Sequence, residues 1–318
     1  RKVAALKKGA VAELTQIDSM GDMQKKIEYM KSRLVESNAK RIVGIESGST
    51  TVIGVNKFKN GEPSPLTAGD NAIMVSDPQA EADQLKRLKE WKASRDGEAV
   101  SAALAVLKAA ALGDTNIMVP SIAAAKAGVT TGEWADVIRN AFGQYRGPTG
   151  VSHNQSNRTE GLDDIRNRVS IVSTKLGRRL KFLMGKPGLD GHSNGAEQIA
   201  TRARDCGMDI TYEGIRLTPD EIIKAIRRDE VDVVGLSILS GSHILLVSEM
   251  MDKMREQGLE HIPVVVGGII PDDDATALAE MGISRIYTPK DFELNRIMDD
   301  IVTLADPSVS NSKKKSDH

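Results

Sequence analysis

From Arg179 onward, short apolar runs alternate with amphipathic stretches of helical period, and this alternation leaves few choices of fold. Parallel strands need a crossover, usually a helix, so strand–helix repetition reads as a doubly wound α/β sheet. The runs at Leu180 to Met184, Met208 to Tyr212, Val231 to Leu239, Ile262 to Val266 and Ser284 to Tyr287 predict five strands. Between them, Ala196, Ile199, Ala200 and Ala203 make one helix stripe, and Thr218-Pro219-Asp220-Glu221 is a capping box ahead of Ile222, Ile223 and Ile226. Met250, Met251 and Met254 mark a third helix, Asp272 to Met281 a fourth, and Ile297, Met298, Ile301 and Leu304 a fifth. The expectation is a flavodoxin-like five-stranded parallel sheet over residues 179–306.

The rest of the chain has a different texture. Residues 1–145 read as a mainly helical region, with an amphipathic opening, a short strand at Thr51 to Val55 and a loop rich in Gly, Pro and Asn. Asp77-Pro78 opens a helix that reaches Trp91, a second runs from Glu98 to Ala111 with Leu104 and Leu107 on its packing face, and Thr131 begins another through Phe142. Residues 146–178 are polar, with Ser152-His153-Asn154-Gln155-Ser156-Asn157 at their centre, and predict an interdomain linker with a short helix at 162–173. Residues 307–318, with Lys313 to Lys315, read as a solvated tail.

Composition excludes several classes. Forty-three basic against 44 acidic side chains leave a formal charge of -1, so no global field draws the chain to nucleic acid or to anionic lipid. The single cysteine, Cys206, can form neither an intramolecular disulfide nor a redox pair, which fits a reducing, cytoplasmic setting. The most apolar stretch, Val233 to Val247, is broken by serines and His243 and is too short to span a membrane. Arg1 to Lys8 has no signal-peptide core and no initiator methionine, so the chain is expected to be a fragment.

In an open parallel sheet, ligands bind beyond the carboxyl ends of the strands where strand order reverses, which in a flavodoxin-like order lies between the first and third strands. The loops there hold Lys186-Pro187-Gly188-Leu189-Asp190-Gly191-His192-Ser193-Asn194-Gly195, then Ser237 to His243, then Gly267-Gly268, then Thr288-Pro289-Lys290. A histidine can bind a metal through one ring nitrogen while a carboxylate holds the other N–H, and Asp190 could do this for His192. Lys186 could pair with that aspartate, and Gly191 and Gly195 could turn the backbone for close approach of a bulky ligand. The plainer alternative is that Asp190 caps the next helix and His192 is an ordinary loop residue. Zinc is disfavoured, because it takes about three protein ligands and no second histidine or cysteine is spaced to help. One histidine suffices where a metal arrives in its own macrocycle.

Asp190-x-His192-x-x-Gly195, then Ser237-x-Leu239, then Gly267-Gly268, resembles the cobalamin-binding signature of B12-dependent mutases and methionine synthase. The stretch Gly185 to Gln198, with Ile269-Ile270-Pro271 and Tyr287-Thr288-Pro289-Lys290-Asp291-Phe292, is similar to the ethylmalonyl-CoA mutase branch of the methylmalonyl-CoA mutase family. Gly54-Val55-Asn56-Lys57 and Met118 to Gly150 resemble the region that follows the substrate barrel in those enzymes.

The resemblance implies adenosylcobalamin as cofactor, with His192 the lower axial ligand of its cobalt and Asp190 and Lys186 completing the relay. Ser237 and Leu239 would line the pocket for the nucleotide tail, Gly191, Gly195, Gly267 and Gly268 would leave room for the cofactor, and Thr288 would touch it. The implied reaction is a radical carbon-skeleton isomerisation, ethylmalonyl-CoA to methylsuccinyl-CoA, by a homodimer. In that family the acyl-CoA substrate sits in a (β/α)8 barrel, whose eight-fold pattern this chain lacks. The expectation is therefore a cobalamin-binding part, inactive without its barrel. A methylmalonyl-CoA mutase, or the cobalamin subunit of another split mutase or corrinoid protein, is the alternative. A receiver-type domain shares the topology but needs an aspartate where Ser237 stands.

Overall fold

A computed structural model describes residues 1–59, 77–151, 161–289, 291 and 293–308. Its strands β1 (Lys181–Gly185), β2 (Asp209–Thr211), β3 (Val233–Ile238), β4 (Val264–Gly268) and β5 (Arg285–Tyr287) fall inside or within two residues of the five predicted runs. They form one sheet in the order β2-β1-β3-β4-β5, and every neighbouring pair is parallel. All six residues of central β3 are buried, as a strand covered on both faces must be. At its middle, a Cβ on Gly235 would come within 2.7 Å of the Phe182 ring, so the missing side chain makes room for that phenylalanine.

Alternation along the strands divides the apolar residues between two layers. On one face, Phe182, Met184, Val233 and Val265 pack with α7 (Leu162–Leu176), α8 (Asn194–Asp205) and α12 (Leu294–Ala305). On the other, Leu183, Val234, Leu236, Val264 and Val266 pack with α9 (Pro219–Asp229), α10 (His243–Glu256) and α11 (Asp272–Glu280). The capping box expected at Thr218 is present, with the Thr218 hydroxyl accepting from the Glu221 N–H and the Glu221 carboxylate accepting from the Thr218 N–H.

The compact units do not part where the sequence suggested. One unit is Glu62–Arg146; the other joins Arg1–Gly61 to Gly147–His318. Helices α1 (Lys2–Ser19) and α2 (Met23–Glu46) thus belong with the sheet. Ile42 of α2 packs against the first core layer, and Glu46 accepts from Arg202 of α8 at 2.9 Å and from the backbone N–H of Leu294 in α12 at 3.0 Å. Lys31 forms an ion pair with the buried Glu197 of α8. Helical periodicity shows that α2 is a helix but not which body its charged residues seek. Likewise α7, expected in a linker, buries Leu162, Ile165, Val169 and Val172 in the sheet core.

The strand expected at Thr51 to Val55 does not form. Ile53 and Lys57 make an isolated bridge around a tight turn, which Asn56 ties down by accepting from Val52 N–H and donating to Ile45 O and Thr50 O, each at 2.8 Å. The polar run from Ser152 to Asn157, together with Lys290, Phe292 and the lysines of the tail, lies outside the described residues.

The smaller unit contains α3 (Pro78–Ser94), α4 (Gly97–Leu112), α5 (Met118–Lys126) and α6 (Thr131–Phe142). Its core is narrow, centred on the fully buried Leu107 and Ala124. The indole N–H groups reach across it, Trp91 to Gly128 O at 3.1 Å and Trp134 to Ser121 Oγ at 2.9 Å. Burial raises the Glu133 carboxyl only in part; hydrogen bonds from Arg95 above all, then from the Thr130 backbone N–H, hold it well below the usual carboxylate range.

Candidate functional site

Strand order reverses between β1 and β3, whose carboxyl ends lie side by side, with Gly185 paired to Leu236. The loop leaving β1 is fastened before it reaches solvent. Leu217 N–H donates to Lys186 O, and Gly188 N–H donates to Leu217 O, both at 3.0 Å. Gly188 then turns the chain at a φ of +81°, a conformation that strains any side chain-bearing residue.

This places three side chains in a row. Lys186, wholly buried, donates to Asp190 Oδ2 at 2.7 Å and to Ser237 O at 3.3 Å. Asp190 Oδ2 also accepts from the Leu239 N–H at 3.1 Å, while Oδ1 accepts from the His192 N–H at 2.9 Å and lies 2.6 Å from His192 Nδ1. Burial by itself would raise the Asp190 carboxyl, but the Lys186 ammonium and the hydrogen bonds from His192 and Leu239 hold it well below its usual range. A carboxylate at this position accepts, so Nδ1 carries a proton, and in the neutral ring that tautomer leaves the lone pair on Nε2. The His192 side chain is 78% exposed while that of Asp190 is 4% exposed, so the ring stands in solvent on a dry anchor. Among the described residues no hydrogen bond reaches its Nε2.

Two expectations from sequence are settled by these contacts. Asp190 does not cap α8, whose N-cap is Ser193 without a side-chain hydrogen bond, so the plainer alternative for Asp190 fails. Nor do Gly191 and Gly195 supply the turn: neither has a left-handed φ, and Gly188 does that work. Gly195 instead borders open space, with nothing within 4 Å of a Cβ placed there.

Beside the relay, between the sheet edge and α8, lies a cavity of about 450 Å³. Gly195, Ser237, Leu239, Gly267, Gly268 and Thr288 all line it; Lys186, Asp190, Gly191 and His192 do not. At its floor a Cβ on Gly268 would lie 1.9 Å from Ile238 O, which no rearrangement of side chains could relieve, whereas the nearest atom to a Cβ on Gly267 is 4.0 Å away. The two glycines thus do different things: Gly268 lets β4 pass β3, and Gly267 leaves the cavity open.

The sequence reading missed part of this wall. Asn38, Arg41 and Ile42 of α2 border the cavity, as do Gln198 and Ile269. Residues of α2 lie some 150 positions before the relay and carry no local motif, so only the packing reveals them; Gln198 was visible as a polar residue on an alanine-rich helix face. Among the described residues, no group of three or more His, Cys, Asp or Glu side chains converges to hold a bare ion. A single, pre-oriented imidazole beside a slot suits a metal already ringed by other ligands.

The strands of this sheet, the relay and most of the residues lining the slot fall within 180–290, which match the family model described as "B12 binding domain". Residues 3–144 match the family model "Methylmalonyl-CoA mutase". The chain is 63% identical over 306 residues to an ethylmalonyl-CoA mutase of Cereibacter sphaeroides, covering 96% of this chain and 47% of that one. It is 52% identical to an ethylmalonyl-CoA mutase of Methylorubrum extorquens, covering 93% of this chain and 43% of that one. A methylmalonyl-CoA mutase of Escherichia coli is 34% identical, with 92% and 42% covered. The chain belongs to the methylmalonyl-CoA mutase family, and spans about half the length of the curated relatives it matches.

Proposed function

We propose that this chain binds adenosylcobalamin, with His192 Nε2 as the atom that would hold its cobalt and the cavity beside α8 as the place that would take its nucleotide tail. The observation that carries the reading is the relay itself: an exposed imidazole whose other nitrogen is fixed by a buried carboxylate, which a buried lysine keeps ionised. The residues fit the group, since a macrocycle supplies the remaining ligands and the cavity is open where Gly195 and Gly267 lack side chains. When bound, the cofactor would supply cobalt–carbon homolysis for a radical carbon-skeleton isomerisation. The chain's own residues orient the imidazole, set its tautomer and wall off the tail. Ser237, Leu239 and Thr288 would be contacts along that wall, with Gly191 beside the ligand loop.

In the same reading the chain serves an ethylmalonyl-CoA mutase-like isomerase, cytoplasmic and homodimeric, whose acyl-CoA is held by a barrel outside this sequence. Identity of 63% and 52% to two ethylmalonyl-CoA mutases, against 34% to a methylmalonyl-CoA mutase, favours that substrate over the shorter acyl-CoA. Among the described residues no helix is long and apolar enough to cross a membrane. The test is a titration of the purified chain with hydroxocobalamin and adenosylcobalamin, followed in the visible spectrum, with electron paramagnetic resonance of the cob(II)alamin complex after nitrogen-15 histidine labelling. Superhyperfine coupling from a labelled nitrogen, lost in His192→Ala, is the expected result; saturable binding with the benzimidazole still on cobalt would refute the relay's assignment.

A further inference from the structure

Helix α8 turns an unusual number of polar side chains inward: Glu197, Gln198, Thr201 and Arg202 are all buried. Burial of a polar group is costly unless it is hydrogen-bonded, and the ends of this set meet that demand. Glu197 has Lys31, while Arg202 has Glu46 and Asn295. Gln198 does not. The residue is 6% exposed overall, and its amide Nε2 is buried without a hydrogen-bond partner among the described residues. Two other buried atoms share this state, Thr201 Oγ1 and the Tyr212 hydroxyl, but neither residue borders the cavity. Gln198 does, with Ala196 and Ile199 on the α8 wall of a cavity that Ser237 and Gly267 also line.

An amide kept dry and unpaired at the wall of a slot is a donor waiting for an acceptor. The slot is otherwise largely apolar, lined by Ile42, Phe182, Met184, Leu236 and Val265 among others, so water satisfies the amide poorly and a rigid ligand atom satisfies it well. We infer that Gln198 hydrogen-bonds the nucleotide tail of the corrinoid, selecting cofactors that carry a tail over those that end at the corrin side chain. The inference rests on the cobalamin reading above and gives a role to a residue outside the Asp190-x-His192-x-x-Gly195 signature.

Gln198→Met tests it, because methionine keeps the length and most of the volume but has no amide. The 318-residue chain and the variant are each titrated with hydroxocobalamin and with cobinamide, which has the corrin but no nucleotide, and each is melted without cofactor. The expected result is a roughly 5- to 10-fold loss of cobalamin affinity, the worth of one neutral hydrogen bond, with cobinamide affinity unchanged. The melting temperature of the free variant should hold or rise, since an unsatisfied polar group has been removed. A purely structural role would instead lower stability and both affinities together. Unchanged cobalamin binding, or equal losses for cobalamin and cobinamide, would overturn the inference while leaving the cobalamin reading intact. Failure of the unaltered chain to bind cobalamin at all would overturn both.

Discussion

Asp190→Asn is the most informative single change, because it removes one charge and almost no volume. In the native site Lys186 is wholly buried, and its partners among the described residues are Asp190 Oδ2 at 2.7 Å and the Ser237 carbonyl at 3.3 Å. Asparagine leaves that ammonium with no counter-charge, and breaking a buried pair from one side costs about 3–5 kcal/mol. At about 1.4 kcal/mol per factor of ten, the open population of the sheet should rise by roughly one hundred-fold to a few thousand-fold. Intrinsic fluorescence would miss this, since both tryptophans, Trp91 and Trp134, sit in the smaller unit. Amide hydrogen exchange of peptides covering β1 and β3, read by mass spectrometry, reports the right body. Lys186→Met combined with Asp190→Asn removes both charges and should restore most of the protection, giving a favourable coupling of at least about 2 kcal/mol in the double-mutant cycle. Exchange accelerated less than tenfold by Asp190→Asn, or a double variant as labile as the summed singles, would refute the view that the pair is a dry, mutually dependent unit.

Three further outcomes are expected. His192→Ala should abolish histidine ligation with little change in folding, whereas His243→Ala should lower stability by about 1–3 kcal/mol and leave ligation in place, because buried His243 is 2.7 Å from Asp274 while the solvent-facing His192 ring gives up a single exposed hydrogen bond to Asp190; melting curves and cobalamin spectra of both variants separate the roles. Gly268→Ala should prevent folding or cost more than about 3 kcal/mol through its clash with Ile238 O, while Gly267→Ala should fold normally and bind cobalamin at least tenfold more weakly, as circular dichroism and titration would report. In the smaller unit, Glu133 has a folded pKa depressed chiefly by Arg95, so its stabilisation is complete above the unfolded value of about 4.3 and is lost as pH falls below it; tryptophan fluorescence in urea at pH 6 and pH 3 should show that loss in the native chain and little of it in Glu133→Gln.

Much of the fold could be read in the residues, and the reasons differ by element. Strands such as Val233–Ile238 announce themselves because a doubly covered strand must be apolar along its whole length. The helices of the sheet domain announce their starts through caps, most plainly at Thr218. The contact of three side chains at the switch point was equally legible, since Lys186, Asp190 and His192 lie within seven residues and one loop brings them together. What resisted reading is non-local. That α2 closes the cavity depends on ion pairs from Lys31 and Glu46 to residues more than 150 positions away, and no period in the sequence encodes such a pairing. The apparent strand at Thr51 failed for a related reason: its β-branched residues suit a ladder, yet Asn56 offers the backbone a local set of hydrogen bonds, and among the described residues no neighbouring strand competes for them.

The relay and the cavity set opposite demands on hydration, and the fold meets both within one loop. A carboxylate orients an imidazole best when it is dry and fully engaged, because a wet one exchanges its partners; Asp190 accordingly accepts four hydrogen bonds beneath the surface. The imidazole has to reach past the edge of the sheet, so it cannot share that burial. Gly188 and the paired Leu217 permit the difference, holding the first half of the loop against the β2–α9 connection so that the second half can rise. Charge then has to be balanced below rather than above, which is why the counter-ion is a lysine on the end of β1 and not a residue of the exposed loop. Placed at the base, Lys186 fixes the carboxylate without approaching the ring through the exposed loop, and the second nitrogen of His192 is left unengaged among the described residues.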